Sequence, residues 1–135
     1  MRQLAPDFIS SCMPIPGNTR VAKSFSLTEN QAVSLSAALT EDAKGAIYSA
    51  IVSFADALSG LQRGYFSWAT VKLYYVCFYL AKAAVARRGH CVFYVGRSPF
   101  RIEALSGYSP QLQTGNSHTV VTSLYKNGLF VNSCG

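Results

Sequence analysis

The sequence predicts a mainly α fold, an antiparallel helical bundle with a short strand and small helices after the third helix. Three observations carry this expectation. Apolar residues recur at three-four spacing over 42–62, a second apolar run fills 67–88, and a connection of about four residues joins the two. A link that short brings two long helices back alongside one another. The chain has 135 residues, half of them hydrophobic and 13% charged, which is one domain's worth of core-forming material. Residues 1–25, with Pro6, Pro14, Pro16 and Gly17, are expected to be an irregular N-terminal segment, and 26–135 a single helical domain.

The first helix is expected over 27–39, because Ser26 and Glu29 have capping-box spacing. Thr40 then reads as the cap of a second helix, with Glu41 and Asp42 in its positive first turn. That helix has its stripe at Ala43, Ala46, Ile47, Ala50, Ile51, Phe54, Ala57, Leu58 and Leu61, and Arg63-Gly64 closes it. Ser67 opens the third helix, which ends near Arg88 with Gly89 as a left-handed stop. Its two faces, Trp68/Lys72/Tyr75/Tyr79/Lys82 and Leu73/Tyr74/Cys77/Leu80/Ala81/Ala84, can both pack, which makes it the central helix. Cys77 reads as a small core residue. Further on, 91–95 is a short strand, Ser98-Pro99 starts a short helix, 108–116 is loop, and Ser117 caps a last helix through Lys126, closed by Asn127-Gly128.

The N-terminus lacks the apolar stretch of a signal peptide. Lys72 and Lys82 leave nine uncharged residues between them in the most apolar segment, where a membrane span wants about 20. Both features point to a cytoplasmic protein without a membrane partner. The four cysteines form no CxxC or Cys/His cluster, so no metal site and no cofactor are expected.

Charge is distributed unevenly. Residues 1–62 carry four Lys/Arg and five Asp/Glu, whereas 63–135 carry eight and one. An anionic partner, RNA first, fits that asymmetry, with Lys72, Lys82, Arg87, Arg88, Arg97, Arg101 and His118 as the candidate binding residues. His118 is also the catalytic candidate, since GNSH places an imidazole at a helix start where backbone amides meet anions. With Arg97 or Arg101 it would form a ribonuclease or nucleotide-transferring site. His90, after Gly89, reads as a surface residue or one that faces the helix C-terminal dipole, rather than a catalyst. The apolar third helix predicts a homodimer or a partner protein, seamed by Trp68, Tyr75 and Tyr79.

The segment FSWATVKLYYVCFYLAKAA, residues 66–84, resembles the aromatic helix of HEPN-like bacterial proteins, in which Tyr-Tyr-x-x-Phe-Tyr-x-x-(Lys/Arg)-Ala follows a long amphipathic helix. FYVGRSPFRIEA and GNSHTVV look similar to one group of uncharacterised members, so the resemblance covers about residues 40–125. It implies a helical bundle, dimerisation and a role in bacterial defence or toxin–antitoxin systems. Active HEPN ribonucleases share Arg-x4–6-His, but Gln113, Leu112 and Gln111 stand at those distances before His118. The resemblance therefore implies a non-catalytic RNA-binding or protein-interaction module, or simply a scaffold subunit. The family bundle usually has a further helix, so a shortened form or one completed by a partner chain is expected.

Overall fold

The computed structural model describes residues 3–13 and 18–134, with Ser117 and 128–134 described in their backbone only. The fold is mainly α. Helices α1 (Leu4–Cys12), α2 (Thr19–Ser24), α3 (Glu29–Gln62) and α4 (Phe66–Arg87) precede strands β1 (His90–Val95), β2 (Ser98–Glu103) and β3 (Gln111–Leu112), and α5 (Ser117–Cys134) follows. The α3–α4 hairpin is antiparallel and dominates the molecule, as the short connection requires.

The two helices expected over 27–39 and 42–62 are one helix of 34 residues. Its cap is Thr28, whose hydroxyl accepts from the Gln31 amide while the Gln31 side chain accepts from the Thr28 amide. This reciprocal box lies two residues beyond the Ser26/Glu29 pair. Thr40 bonds back to the Ser36 carbonyl instead of starting a new helix. Nothing in its sequence forces a break, for neither Pro nor Gly falls between Thr28 and Lys44.

The N-terminal segment is not irregular where it is described. Asn18 caps α2 through its side chain, and α1 inserts Ala5 and Ile9, both fully buried, into the main core. Asp42 of α3 reaches the start of α1, where its two carboxylate oxygens accept from the Leu4 and Ala5 amides at 2.8 Å each. Those amides have no partner within their own helix, and the carboxylate sits at the positive end of its dipole. Pro14, Pro16 and Gly17 lie outside the described residues.

Ser98-Pro99 starts a strand, not a helix. β1 and β2 pair antiparallel from His90↔Glu103 to Val95↔Ser98 around a two-residue turn, with Gly96 at φ 63°. The period-two alternation then sends Cys91, Phe93 and Val95 inward from β1, with Phe100 and Ile102 from β2. β3, within the expected loop, pairs with β2 to give a three-stranded sheet in the order β1-β2-β3. Sheet, α1 and the first half of α3 enclose the main core around Ile9, Leu35, Leu39, Phe93 and Phe100. The last helix does not stop at Lys126; its backbone continues to Cys134.

Beyond this core the hairpin extends as an arm. The buried positions of α3 there are Ala43, Ala46, Ala50, Ser53, Ala57 and Gly60, a seam made only of small residues. Small side chains let α4 lie close. At the elbow a Cβ on Gly60 would stand 2.9 Å from Trp68 Cδ1, so the bare glycine makes room for the indole.

Candidate functional site

The seven candidate binding residues are spread over different parts of the molecule, and most of them are engaged by neighbouring side chains or backbone. Lys72 lies 3.7 Å from Asp56 of α3 and 4.6 Å from the centre of the Trp68 ring. Arg87 is exposed at the end of α4, and Arg88 reaches the Tyr125 carbonyl of α5 at 3.4 Å. Arg97 is exposed in the β1–β2 turn, and Arg101 donates to Gln111 Oε1 at 2.6 Å across the β2–β3 pair. Among the described residues, no hydrogen bond, ion pair or ring contact joins His118 to Arg97 or Arg101. The shared anion pocket that an Arg/His catalyst would use is not assembled by these contacts.

His118 instead docks α5 onto α4. Its ring stacks on Phe78 with centroids 4.0 Å apart, and Nδ1 lies 3.1 Å from the Tyr74 hydroxyl. The aromatic density of α4 is thus partly used to hold the last helix. Tyr75 remains exposed, while Tyr79 is half-buried.

Lys82 lines a small cavity between α1, α3, α4 and β1, of about 50 Å³, together with Asp42, His90 and Cys91. That volume suits a few water molecules and excludes a nucleotide. Burial pushes the Lys82 pKa down, with Asp42 opposing the shift. Burial also pushes the Cys91 thiol up, which keeps it protonated and unreactive. Cys77, expected in the core, is exposed on α4. Among the described residues no group of three or more His, Cys, Asp or Glu is placed to hold a metal ion.

His90, expected at the surface, opens β1 with its Nδ1 buried and without a hydrogen bond. Glu103 Oε1 is 3.7 Å away, too far to satisfy it. Burial lowers the His90 pKa below its ordinary 6.5, Glu103 opposes this, and Arg101 and Arg88 add to it. The folded chain therefore takes up this proton less readily than the unfolded chain. The associated stability is complete above the unfolded value and is lost as pH falls from there through the folded value. Between about pH 7 and about pH 5.5 the unfolding free energy from urea titrations is expected to fall more in the wild type than in His90→Gln, by at most ~1.4 kcal/mol per pH unit. Equal falls would show that His90 does not carry the difference.

An extended apolar surface runs along the arm, where the spacing of the sequence predicts a packed stripe. The single stripe expected on α3 divides by size. The alanines face α4, whereas Ile47, Ile51, Phe54, Leu58 and Leu61 are 38–63% exposed. Their spacing of four, three, four and three makes a second stripe, about 90° around the helix from the seam. On α4 the series Phe66, Thr70, Leu73, Cys77, Leu80 and Ala84 has the same spacing and the same offset. Because the helices run antiparallel, equal offsets place both stripes on one side of the hairpin. The Asp56–Lys72 pair and the Trp68–Gly60 contact mark the opposite side.

By length and composition α4 is also apolar enough to cross a membrane, the one such helix among the described residues. Comparison with protein-family models, curated proteins and solved structures gives no match.

Proposed function

We propose that this chain is a non-catalytic helical module that acts by binding protein, HEPN-like in its long helix pair and aromatic second helix. A cytoplasmic role in a bacterial defence or toxin–antitoxin type system goes with that resemblance. The observation that carries the binding role is the exposed apolar side of the α3–α4 arm, with Phe66 67% and Ile51 63% exposed. Contiguous apolar surface of that kind marks an interaction site on a water-soluble domain. RNA is the weaker partner in this reading. Lys72 and Lys82 have Asp56 and Asp42 beside them, and Arg101 is held by Gln111. The enzyme reading is weaker again, because the His118 imidazole is taken up by Tyr74 and Phe78.

The test compares tagged full-length wild type with Ile51→Lys and Leu80→Lys for the proteins they retain at equal expression. Bound protein is expected with the wild type and at least ~10-fold less with either variant. Filter binding of RNA across a salt series runs beside it. Tight binding that weakens steeply with salt, unaffected by the two substitutions, would replace this reading with the RNA one. RNA degradation by wild type but not by His118→Ala would restore the enzyme.

A further inference from the structure

A cleft of about 430 Å³ opens where α1, α4, β1 and α5 meet. Small-molecule sites occupy roughly 300–1,000 Å³, so this volume takes a ligand of modest size. Phe78, Val92, Phe93 and Val121 give it apolar walls, and Ser10 and Tyr94 stand among its polar lining. The walls are held in place before anything binds. His118 stacks on Phe78 with centroids 4.0 Å apart, which docks the helix that brings Val121. Preorganisation of this kind spares a ligand the cost of ordering its site.

Lys82 is the one basic residue among the described residues that line the cleft, and it also lines the smaller cavity of about 50 Å³. Among the described residues its ammonium has no hydrogen bond or ion pair, and the Phe78 ring centre lies 5.8 Å from Nζ. Asp42 does not fill that gap, because its two oxygens accept from the Leu4 and Ala5 amides. Burial therefore lowers the Lys82 pKa more than Asp42 raises it. A partly buried cation with open donors is costly until an anion meets it. One ammonium beside Asp42, with Asp7 also lining the cleft, balances a single negative charge and opposes a second. A phosphate monoester, with a charge of about −1.5 to −2, fits poorly for that reason. The apolar walls call for an apolar body behind the charge.

We propose that this cleft binds a monocarboxylic acid with an apolar body, its carboxylate on Lys82 Nζ and its body against Phe78, Val92 and Val121. Phe78 and Lys82 are not part of the stripe Phe66, Thr70, Leu73, Cys77, Leu80 and Ala84, so the site stands independently of the protein-binding arm.

Octanoate is the probe, titrated into the full chain and followed by calorimetry and amide NMR. Binding is expected, with the amide shifts centred on Phe78, Val92 and Val121. Lys82→Met keeps the stem and removes the charge. It should weaken octanoate by about 10–100-fold, the loss of a charged hydrogen bond, and leave octan-1-ol within about two-fold. Ser10→Trp, at an exposed residue, fills the cleft and should weaken both. Lys44→Met, exposed on α3 and paired with Glu41, should change neither. If Lys82→Met fails to fold, Ser10→Trp and the shifts decide. No octanoate binding at millimolar concentration overturns the site. So does binding that Lys82→Met leaves unchanged, and so do shifts confined to Ile51 and Leu80, which would put the acid on the arm. Octyl phosphate binding more tightly than octanoate would overturn the carboxylate in favour of a phosphate.

Discussion

Phe93→Ala is expected to cost about 3–5 kcal/mol of stability, the range for removing an aromatic ring from a packed core. Phe93 is 2% exposed on β1 and stacks on the fully buried Phe100 of β2, ring centroids 5.9 Å apart. Around the pair stand Ile9 of α1 and Leu35 and Leu39 of α3, so this cluster joins the N-terminal helix, the sheet and the long helix. A domain of this size has roughly 5–15 kcal/mol in total, and losing a third or more of it shows plainly in a urea titration followed by circular dichroism. Val33→Ala, at a side chain 66% exposed, is the control and should move stability by less than about 0.5 kcal/mol. Comparable losses in the two variants would place the core elsewhere.

Asp42→Ala should be the next most damaging change, at about 3 kcal/mol. Its carboxylate accepts from the Leu4 and Ala5 amides, and a hydrogen bond to a charged group contributes roughly 1.5–3 kcal/mol. Gln3, at the capping position of α1, makes no side-chain cap of its own. Without Asp42 only water is left to accept from these amides, and Ala5 and Ile9 are held in the core less firmly. Hydrogen exchange is the sharper measurement. Amides of α1 should lose protection in Asp42→Ala while those of β1 and β2 keep most of theirs. Unchanged protection in α1 would show that its apolar contacts alone retain it.

The arrangement of the long helices was legible because periodicity and a short connection leave few alternatives. What the periodicity does not reveal is which of two adjacent stripes turns inward. On α3 the answer was written in side-chain size, Ala43, Ala46, Ala50 and Ala57 against Ile47, Ile51, Phe54 and Leu58. Treating all of them as one apolar face merged the seam with the exposed surface. Local signals also misled where tertiary pairing won. Thr40-Glu41-Asp42 has the chemistry of a helix start, but Asp42 uses it on a helix 37 residues earlier. Ser98-Pro99 looks like a helix start as well. Pro99 is tolerated in β2 because its missing amide lies on the side of β3 at the end of that short ladder, where its carbonyl still accepts from the Gln113 amide at 2.9 Å. α1 had a readable signature, Ala5, Ile9 and Met13 at steps of four with Pro6 in the first turn, hidden by the weight given to the prolines that follow. For the candidate site, sequence located the basic and aromatic residues but not their contacts. The His118–Phe78 stack and the Lys72–Asp56 pair depend on how distant elements meet.

The small-residue seam of α3 divides the molecule into two cooperative regions of unequal strength. A buried alanine removes far less apolar surface from water than a leucine or phenylalanine, so each turn of the seam contributes little to holding α4 in place. The sheet end rests on Phe93, Phe100, Ile9 and Leu35; the arm rests on Ala50, Ser53, Ala57 and Gly60. Local opening of the arm is therefore expected to cost less than global unfolding. Whatever binds the outer face of the arm supplies the apolar burial that the seam withholds. By mass action, the rigidity of that half of the molecule is then set by the concentration of its partner rather than by the chain alone.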